Sequence, residues 1–239
     1  MARTVYKCRL NEINRLTPTV RELKIEVLEP KGFHFQSGQF LMLQVPVPGQ
    51  EKPAPRAYSI ASDARVKGCA ILLIKLFEKG KASDFVRGLK GGEEFNITGP
   101  FGRLLFQKPI APQVLMLCTG AGLSQHIGFL RSHAHEFKDS KVTLLIGVWN
   151  ETEMFYSEEL DEIKKVSPNF KYEFVLDTPP ATWTGKKGFV TDYIKDFDLK
   201  GIETLVYLCG NPAMIKNAQG LLKEKFQFDP KHVFAEAFN

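Results

Sequence analysis

Leu117-Cys118-Thr119-Gly120-Ala121-Gly122-Leu123-Ser124 decides the fold of the second half of the chain. The apolar run Val114 to Cys118 reads as a buried strand, the glycines as a turn, and the residues that follow as the start of a helix. Glycines at such a turn let the backbone approach a dinucleotide, while the N-terminus of the helix faces phosphates. The third glycine of the dinucleotide fingerprint is replaced by Gln125, and no Gly-Lys-Ser/Thr follows. Taken alone, the stretch reads equally well as a plain strand–helix turn.

Outward from this turn the pattern repeats. Strand-like runs at Val142 to Val148, Tyr172 to Leu176 and Leu205 to Cys209 alternate with helical stretches near Gln125 to His135, Tyr156 to Lys165, Thr191 to Asp196 and Pro212 to Glu224. Such alternation predicts a doubly wound parallel sheet. Toward the N-terminus, Gln107 to Gln113 carries Pro109 and Pro112 between apolar runs and marks a boundary, giving domains 1–108 and 112–239. Before it, Val20 to Val27, Phe40 to Val45, Ala57 to Ser62, Ala70 to Phe77 and Glu94 to Thr98 alternate as strands of an all-β barrel or sandwich. One helix, Ala82 to Leu89, interrupts them, with Phe85, Val86 and Leu89 on one face.

The 239 residues fit two small domains, and 44% apolar with 25% charged residues excludes disordered and fibrous classes. Met1 to Leu10 contains Arg3, Lys7 and Arg9 and no apolar signal region, and the longest apolar runs fall far short of the roughly 20 residues of a membrane span. A cytoplasmic protein with no membrane partner is expected. Cys8, Cys69, Cys118 and Cys209 form no C-x-x-C pair, which argues against zinc, an iron–sulfur cluster or a disulfide framework; no metal is expected. The net charge of +5 suits an anionic ligand or acidic partner. Basic and aromatic residues do not interleave along one surface, so nucleic acid is not an expected partner.

Two further motifs carry chemistry. In Arg56-Ala57-Tyr58-Ser59-Ile60-Ala61-Ser62 a strand would put Arg56, Tyr58 and Ile60 on one face and Ala57 and Ser59 on the other. A guanidinium grips phosphate through paired charge-assisted bonds, and a tyrosine stacks on a planar ring. An ordinary strand with a surface arginine has the same look. Leu208-Cys209-Gly210-Asn211-Pro212-Ala213-Met214 ends a strand and begins a helix, with Pro212 suited to the first turn. A free cysteine there is most often a small buried apolar residue.

These motifs, with Ser37-Gly38-Gln39-Phe40, Gly80-Lys-Ala-Ser83 and Gly99-Pro-Phe-Gly102, occur in an order that resembles the ferredoxin–NADP reductase family over nearly the whole chain. The resemblance implies an N-terminal antiparallel Greek-key β-barrel holding FAD, then a doubly wound NAD(P)-binding domain. It implies that Arg56 pairs with the FAD pyrophosphate, that Tyr58 stacks on the isoalloxazine next to Ala57, and that Ser59 faces flavin N5. Ile74, Lys75 and Leu76 would lie beside the flavin edge. Lys81, Ala82 and Ser83 would lie under the diphosphate, where Ser83 could also cap the short helix. Thr119, Gly120 and Gly122 would approach NADPH or NADH, with Cys209, Gly210, Asn211, Pro212 and Met214 at the nicotinamide end. Phe238 would be a lid on the flavin, and Glu236 would serve proton or electron traffic. Ser59, Cys209 and Glu236 are thus the expected catalytic residues.

The chain departs from the family at Gln125, where proline is usual, and at His126, which is open to a proton-carrying or a structural role. Trp149 stands where many NADP-dependent relatives have arginine. Lys186 and Lys187 lie in a segment that approaches the adenosine end in relatives, and tip the reading toward NADPH. The resemblance implies a monomeric flavoprotein reductase whose partner is ferredoxin or flavodoxin. The alternatives are a reductase of diffusible flavin and, from another class, a nucleotide-sensing module without turnover. An oxygenase reductase with a fused iron–sulfur domain is disfavoured by the cysteine spacing.

Overall fold

The computed structural model describes residues 4–238; Met1 to Arg3 and Asn239 lie outside the described residues. Contacts divide the chain into two units, Met1–Leu105 with Ile127–Ser132, and Phe106–His126 with His133–Asn239.

The first unit is built from β1 (Val5–Arg15), β2 (Val20–Glu29), β3 (Phe40–Val45), β4 (Ala54–Ser59), β5 (Cys69–Lys75) and β6 (Glu94–Phe101), with one helix, α1 (Lys81–Gly88). They form a six-stranded antiparallel sheet in the order β4-β3-β6-β1-β2-β5. The connection from β2 to β3 jumps across the sheet, as in a Greek key. The two edge strands meet where Ile60 bridges Leu72 and the Ala61 N–H donates to Ile71 O at 2.8 Å, so the sheet curls almost to closure. Alternation explains the core: Leu41, Leu43 and Val45 of β3 point inward with Leu23, Ile25 and Val27 of β2, while Phe40, Met42 and Gln44 remain half-exposed on the outside.

In the second unit β7 (Gln113–Thr119) leads through a 3-10 turn, Gly120–Gly122, into α2 (Leu123–His133). The chain continues as β8 (Lys141–Val148), α3 (Ser157–Val166), β9 (Phe170–Leu176), β10 (Lys186–Lys187), β11 (Thr204–Gly210), α4 (Pro212–Gly220) and β12 (Val233–Ala237). All neighbours in the order β10-β9-β8-β7-β11-β12 run parallel. Every residue from Gln113 to Cys118 and from Thr204 to Gly210 is buried, as expected of strands covered on both faces. α3 begins with Glu158 and Glu159 and ends with Lys164 and Lys165, charges that complement its dipole.

The structure corrects several expectations. Val233–Ala237, which the sequence reading did not mark as an element, is a strand beside β11, with Phe234 stacked on Tyr207 at a ring-centroid distance of 5.2 Å. The stretch around Thr191 to Asp196 is a 3-10 segment, Val190–Asp196, and the last helix changes to a π-turn at Leu221–Lys225. Ser83 does not cap α1; its hydroxyl accepts the Phe77 N–H at 2.9 Å and so pins the start of the helix to the end of β5. No described helix is long and apolar enough to cross a membrane.

Candidate functional site

In the second unit the strand order reverses at β7, which has β8 on one side and β11 on the other. Ligands of open α/β sheets bind beyond the carboxyl ends of the strands at such a point. Here the two glycine motifs meet. A Cβ on Gly122 would stand 2.4 Å from the Cys209 carbonyl oxygen, and one on Gly210, with φ +122°, would stand 2.5 Å from Thr119 Oγ1. The Thr119 hydroxyl accepts the Asn211 N–H at 2.9 Å, and the Asn211 carboxamide oxygen accepts the Ala213 N–H at 2.8 Å, capping α4 with Pro212 in its first turn. Asn211 and Pro212 are exposed, Thr119 and Gly120 are half-buried, and Met214 packs on the core beneath. The result is a backbone surface edged by two helix N-termini, a donor set suited to a dinucleotide pyrophosphate.

Cys209 is the ladder partner of both Cys118 and Glu236 and is fully buried. Burial, then the Glu236 carboxylate and the Cys118 thiol, push its thiol well above the ordinary range. It stays protonated at neutral pH and is no thiolate nucleophile. The Phe238 N–H donates to Gly210 O at 2.8 Å, so Cys209, Gly210, Glu236 and Phe238 gather at one end of β11 and β12.

Trp149 follows β8 and is 62% exposed. Lys187 is exposed, but the Lys186 ammonium lies 3.5 Å from Asp196, 3.7 Å from Glu173 and 4.0 Å above the Tyr193 ring. In the first turn of α2, the Ser124 hydroxyl and both polar atoms of the Gln125 amide are buried with no hydrogen-bond partner among the described residues. His126 is fully buried, its Nε2 lies 3.1 Å from Leu117 O, and burial pulls its pKa down to about 4. Of the two roles open to it, the structural one fits this setting.

In the first unit Arg56 is exposed, Tyr58 is half-buried against the core and Ile60 is fully buried, so one face of the β4 segment runs from solvent to interior. Burial, opposed by Arg56, raises the Tyr58 phenol to about 12 and keeps it a hydrogen-bond donor. Ala57 is exposed, and Ser59 is buried opposite Phe40. β5 lies beside β4 and presents Lys75 to solvent between buried Ile74 and Leu76. Lys81 is exposed and Ala82 half-buried at the start of α1. Arginine, two lysines, a phenol and a helix N-terminus thus surround one end of β4 and β5, a set that fits an anionic cofactor with a planar ring.

Two groups of residues were not singled out by sequence reasoning. Asp177 extends β9 beside Trp149, through its N–H to Val148 O at 3.0 Å and that of Thr178 to Trp149 O at 2.8 Å. Arg15 and Arg21 are directly opposite in the β1–β2 ladder. Only the position of Asp177 just past a strand-like run could have flagged it; the arginines need the register.

A curled β module with a cationic edge, followed by a dinucleotide-type parallel sheet, fits a two-module flavin and nicotinamide oxidoreductase. Comparison with known proteins gives the same class: residues 7–106 match the oxidoreductase FAD-binding domain and residues 116–220 the oxidoreductase NAD-binding domain. The chain belongs to the ferredoxin reductase-like family of FAD- and NAD(P)-binding oxidoreductases. It is 29% identical to ferredoxin–NADP reductase B of Sorangium cellulosum over 98% of each chain. It is 31% identical to NADH-cytochrome b5 reductase 1 of Dictyostelium discoideum, covering 82% of this chain and 69% of that one. The toluate 1,2-dioxygenase electron transfer component of Pseudomonas putida is 28% identical, over 94% and 67%. Among solved structures, reductase GcoB of Amycolatopsis superposes with a TM-score of 0.87 at 26% identity over 99% of this chain and 70% of its own. The cytochrome b5 reductase domain of Ulva prolifera nitrate reductase, at 20% identity, shares the fold with a TM-score of 0.83 over 98% and 97%.

Proposed function

We propose that this NAD(P)H-dependent flavoprotein reductase delivers its electrons to a small acidic carrier, a ferredoxin or flavodoxin. The observation that carries this reading is a cationic face on the first unit. Arg15 stands directly opposite Arg21, and burial followed by the Arg15 and Arg87 guanidiniums pulls Arg21 below the usual arginine range. Exposed Lys79 extends the charge beside Phe77, which is 61% exposed, with Glu78 and Asp84 as the acidic residues of the same stretch. Like charges directly opposite in a ladder destabilise it, and an acidic docking partner would offset that repulsion. Ferredoxin–NADP reductase B, matched over nearly its full length, points the same way.

On this reading domain 1–108 holds FAD, and domain 112–239 holds the nicotinamide coenzyme. FAD, when bound, supplies two-electron acceptance and one-electron release. Arg56, Lys81 and the α1 amides hold its diphosphate, with Ala57, Ala82 and Ser83 shaping the cradle. Tyr58 would stack on its ring, Ser59 would face its reacting edge, and Ile74, Lys75 and Leu76 would flank it. Thr119, Gly120 and Gly122 receive the coenzyme pyrophosphate, and Gly210, Asn211, Pro212 and Met214 shape the nicotinamide end. Neutral Cys209 would position that ring, Glu236 would assist proton traffic, and Phe238 would serve as an aromatic lid.

The test is reduction of an acidic ferredoxin by the FAD-loaded protein across a salt series. A rate that falls steeply with salt, and falls at least tenfold in Arg15→Glu with Arg21→Glu, is expected. Reduction of free flavin with no transfer to either carrier would instead select the diffusible-flavin reductase.

A further inference from the structure

We infer that Arg15, Arg21 and Arg87 form an oxyanion site at one end of the curled β module, built to take a free phosphate dianion. The site stands on its own geometry. It rests on the carrier reading only for its consequence, that phosphate and an acidic carrier exclude one another on this face.

Strand alternation puts Arg21 on the inward face of β2, two residues beyond Leu23, where the core ends. Ile13, which packs on that core, pairs with Leu23, and Arg15 pairs with Arg21 in the same unbroken stretch of register. On its other side Arg21 pairs with fully buried Ile74. Two guanidiniums therefore leave the end of the core side by side, from Cβ atoms about 4.5–5.5 Å apart. Arg87 is the third. It comes from the last turn of α1, whose Val86 is buried in the same core, and its charge acts on Arg21 together with that of Arg15.

The main chain aims these groups. Arg21 is half-buried, and its Nη1 donates to Thr17 O at 3.0 Å and to Val20 O at 3.1 Å. Its Nε and Nη2 have no acceptor among the described residues. Arg87 donates through Nη2 to Phe77 O and through Nη1 to Asp84 Oδ1 at 2.9 Å. Arg15 is exposed and makes no hydrogen bond among the described residues. One carboxylate, that of Asp84, is thus bonded among three guanidiniums, and half-buried Arg21 faces a like charge with no anion to answer it. A tetrahedral oxyanion offers separate oxygens to several guanidinium forks, which chloride cannot do.

Melting of the FAD-loaded protein tests the site, with ionic strength held constant by sodium chloride. Millimolar inorganic phosphate should raise Tm by about 2–4 °C. Arg15→Gln should melt no lower than the unaltered chain in phosphate-free buffer, because the repulsion across the ladder is gone, and should lose most of the phosphate gain. Arg87→Gln should lose it too, with flavin absorbance retained in both. A purely structural arginine would instead lower Tm and leave the gain intact. In the unaltered chain the same phosphate should slow reduction of an acidic ferredoxin about threefold at that fixed ionic strength. No gain beyond that of chloride, or a gain that survives Arg15→Gln, overturns the site and leaves the carrier reading to its own salt series. A gain abolished by Arg15→Gln while ferredoxin reduction is undiminished upholds the site and counts against the carrier reading.

Discussion

β4 and β11 each end at a candidate ligand site, yet β4 exposes Pro55, Arg56 and Ala57 while every residue of β11 is buried. On β4 the candidate chemistry sits in side-chain heads projecting from an edge of the sheet. On β11 and the adjoining β7 turn it sits in the backbone, in glycines pressed against Cys209 and Thr119. The difference teaches where function and stability can be separated. A side chain at an exposed edge can be changed with little effect on folding, whereas a glycine that lets two main chains touch cannot.

The largest expected break in this comparison comes from Gly122→Ala. Its methyl group would meet the Cys209 carbonyl at 2.4 Å, so the backbone must move, at a cost of about 3 kcal/mol visible in urea unfolding. Unchanged stability would mean that the β7–β11 contact is soft. A comparable effect comes from pH. The His126 pKa falls from 6.5 to about 4 on folding because its ring is buried, so the native state resists a proton that the unfolded chain accepts. Stability is complete above about pH 6.5 and declines as pH falls toward about 4, by roughly 3 kcal/mol in total. Urea midpoints across that range should follow this slope, and His126→Asn should flatten it.

The smallest effect on folding is expected for Arg56→Ala. Removing the exposed guanidinium should change stability by less than about 0.5 kcal/mol but weaken FAD retention by about 1.5–3 kcal/mol, read as loss of flavin absorbance on dialysis. A large fall in Tm with flavin retained would invert the comparison between the two strands.

The same contrast governs what could be read in advance. The β7 turn was legible because glycine spacing after an apolar run has few physical explanations, and the parallel sheet followed from the alternation around it. β12 was missed because Val233 to Ala237 is short and lies in a stretch that invited reading as a lid; it becomes a strand through pairing with β11 and through the Phe234–Tyr207 stack. Ser83 was assigned to a cap by its position, but the Phe77 N–H competes for its hydroxyl and wins. Arg56, Tyr58 and Ile60 could be placed on one face by simple alternation, as found. The burial of Ser59 and Cys209 depends on neighbours far away in sequence, and so does the capture of Lys186 by Glu173 and Asp196.

The position of β7 between β8 and β11 also has a kinetic consequence. Gln113 at its start bonds Thr204, 91 residues later, whereas its register with Lys141 spans a much shorter loop. The β7–β8–β9 side can zip through successive nearby crossovers, but the other flank must wait for a distant closure whose chain entropy is lost before any pairing is gained. The pair of strand ends carrying Thr119 and Gly210 is therefore assembled late, and competence to bind a dinucleotide should appear in refolding only after most of the helical signal has returned.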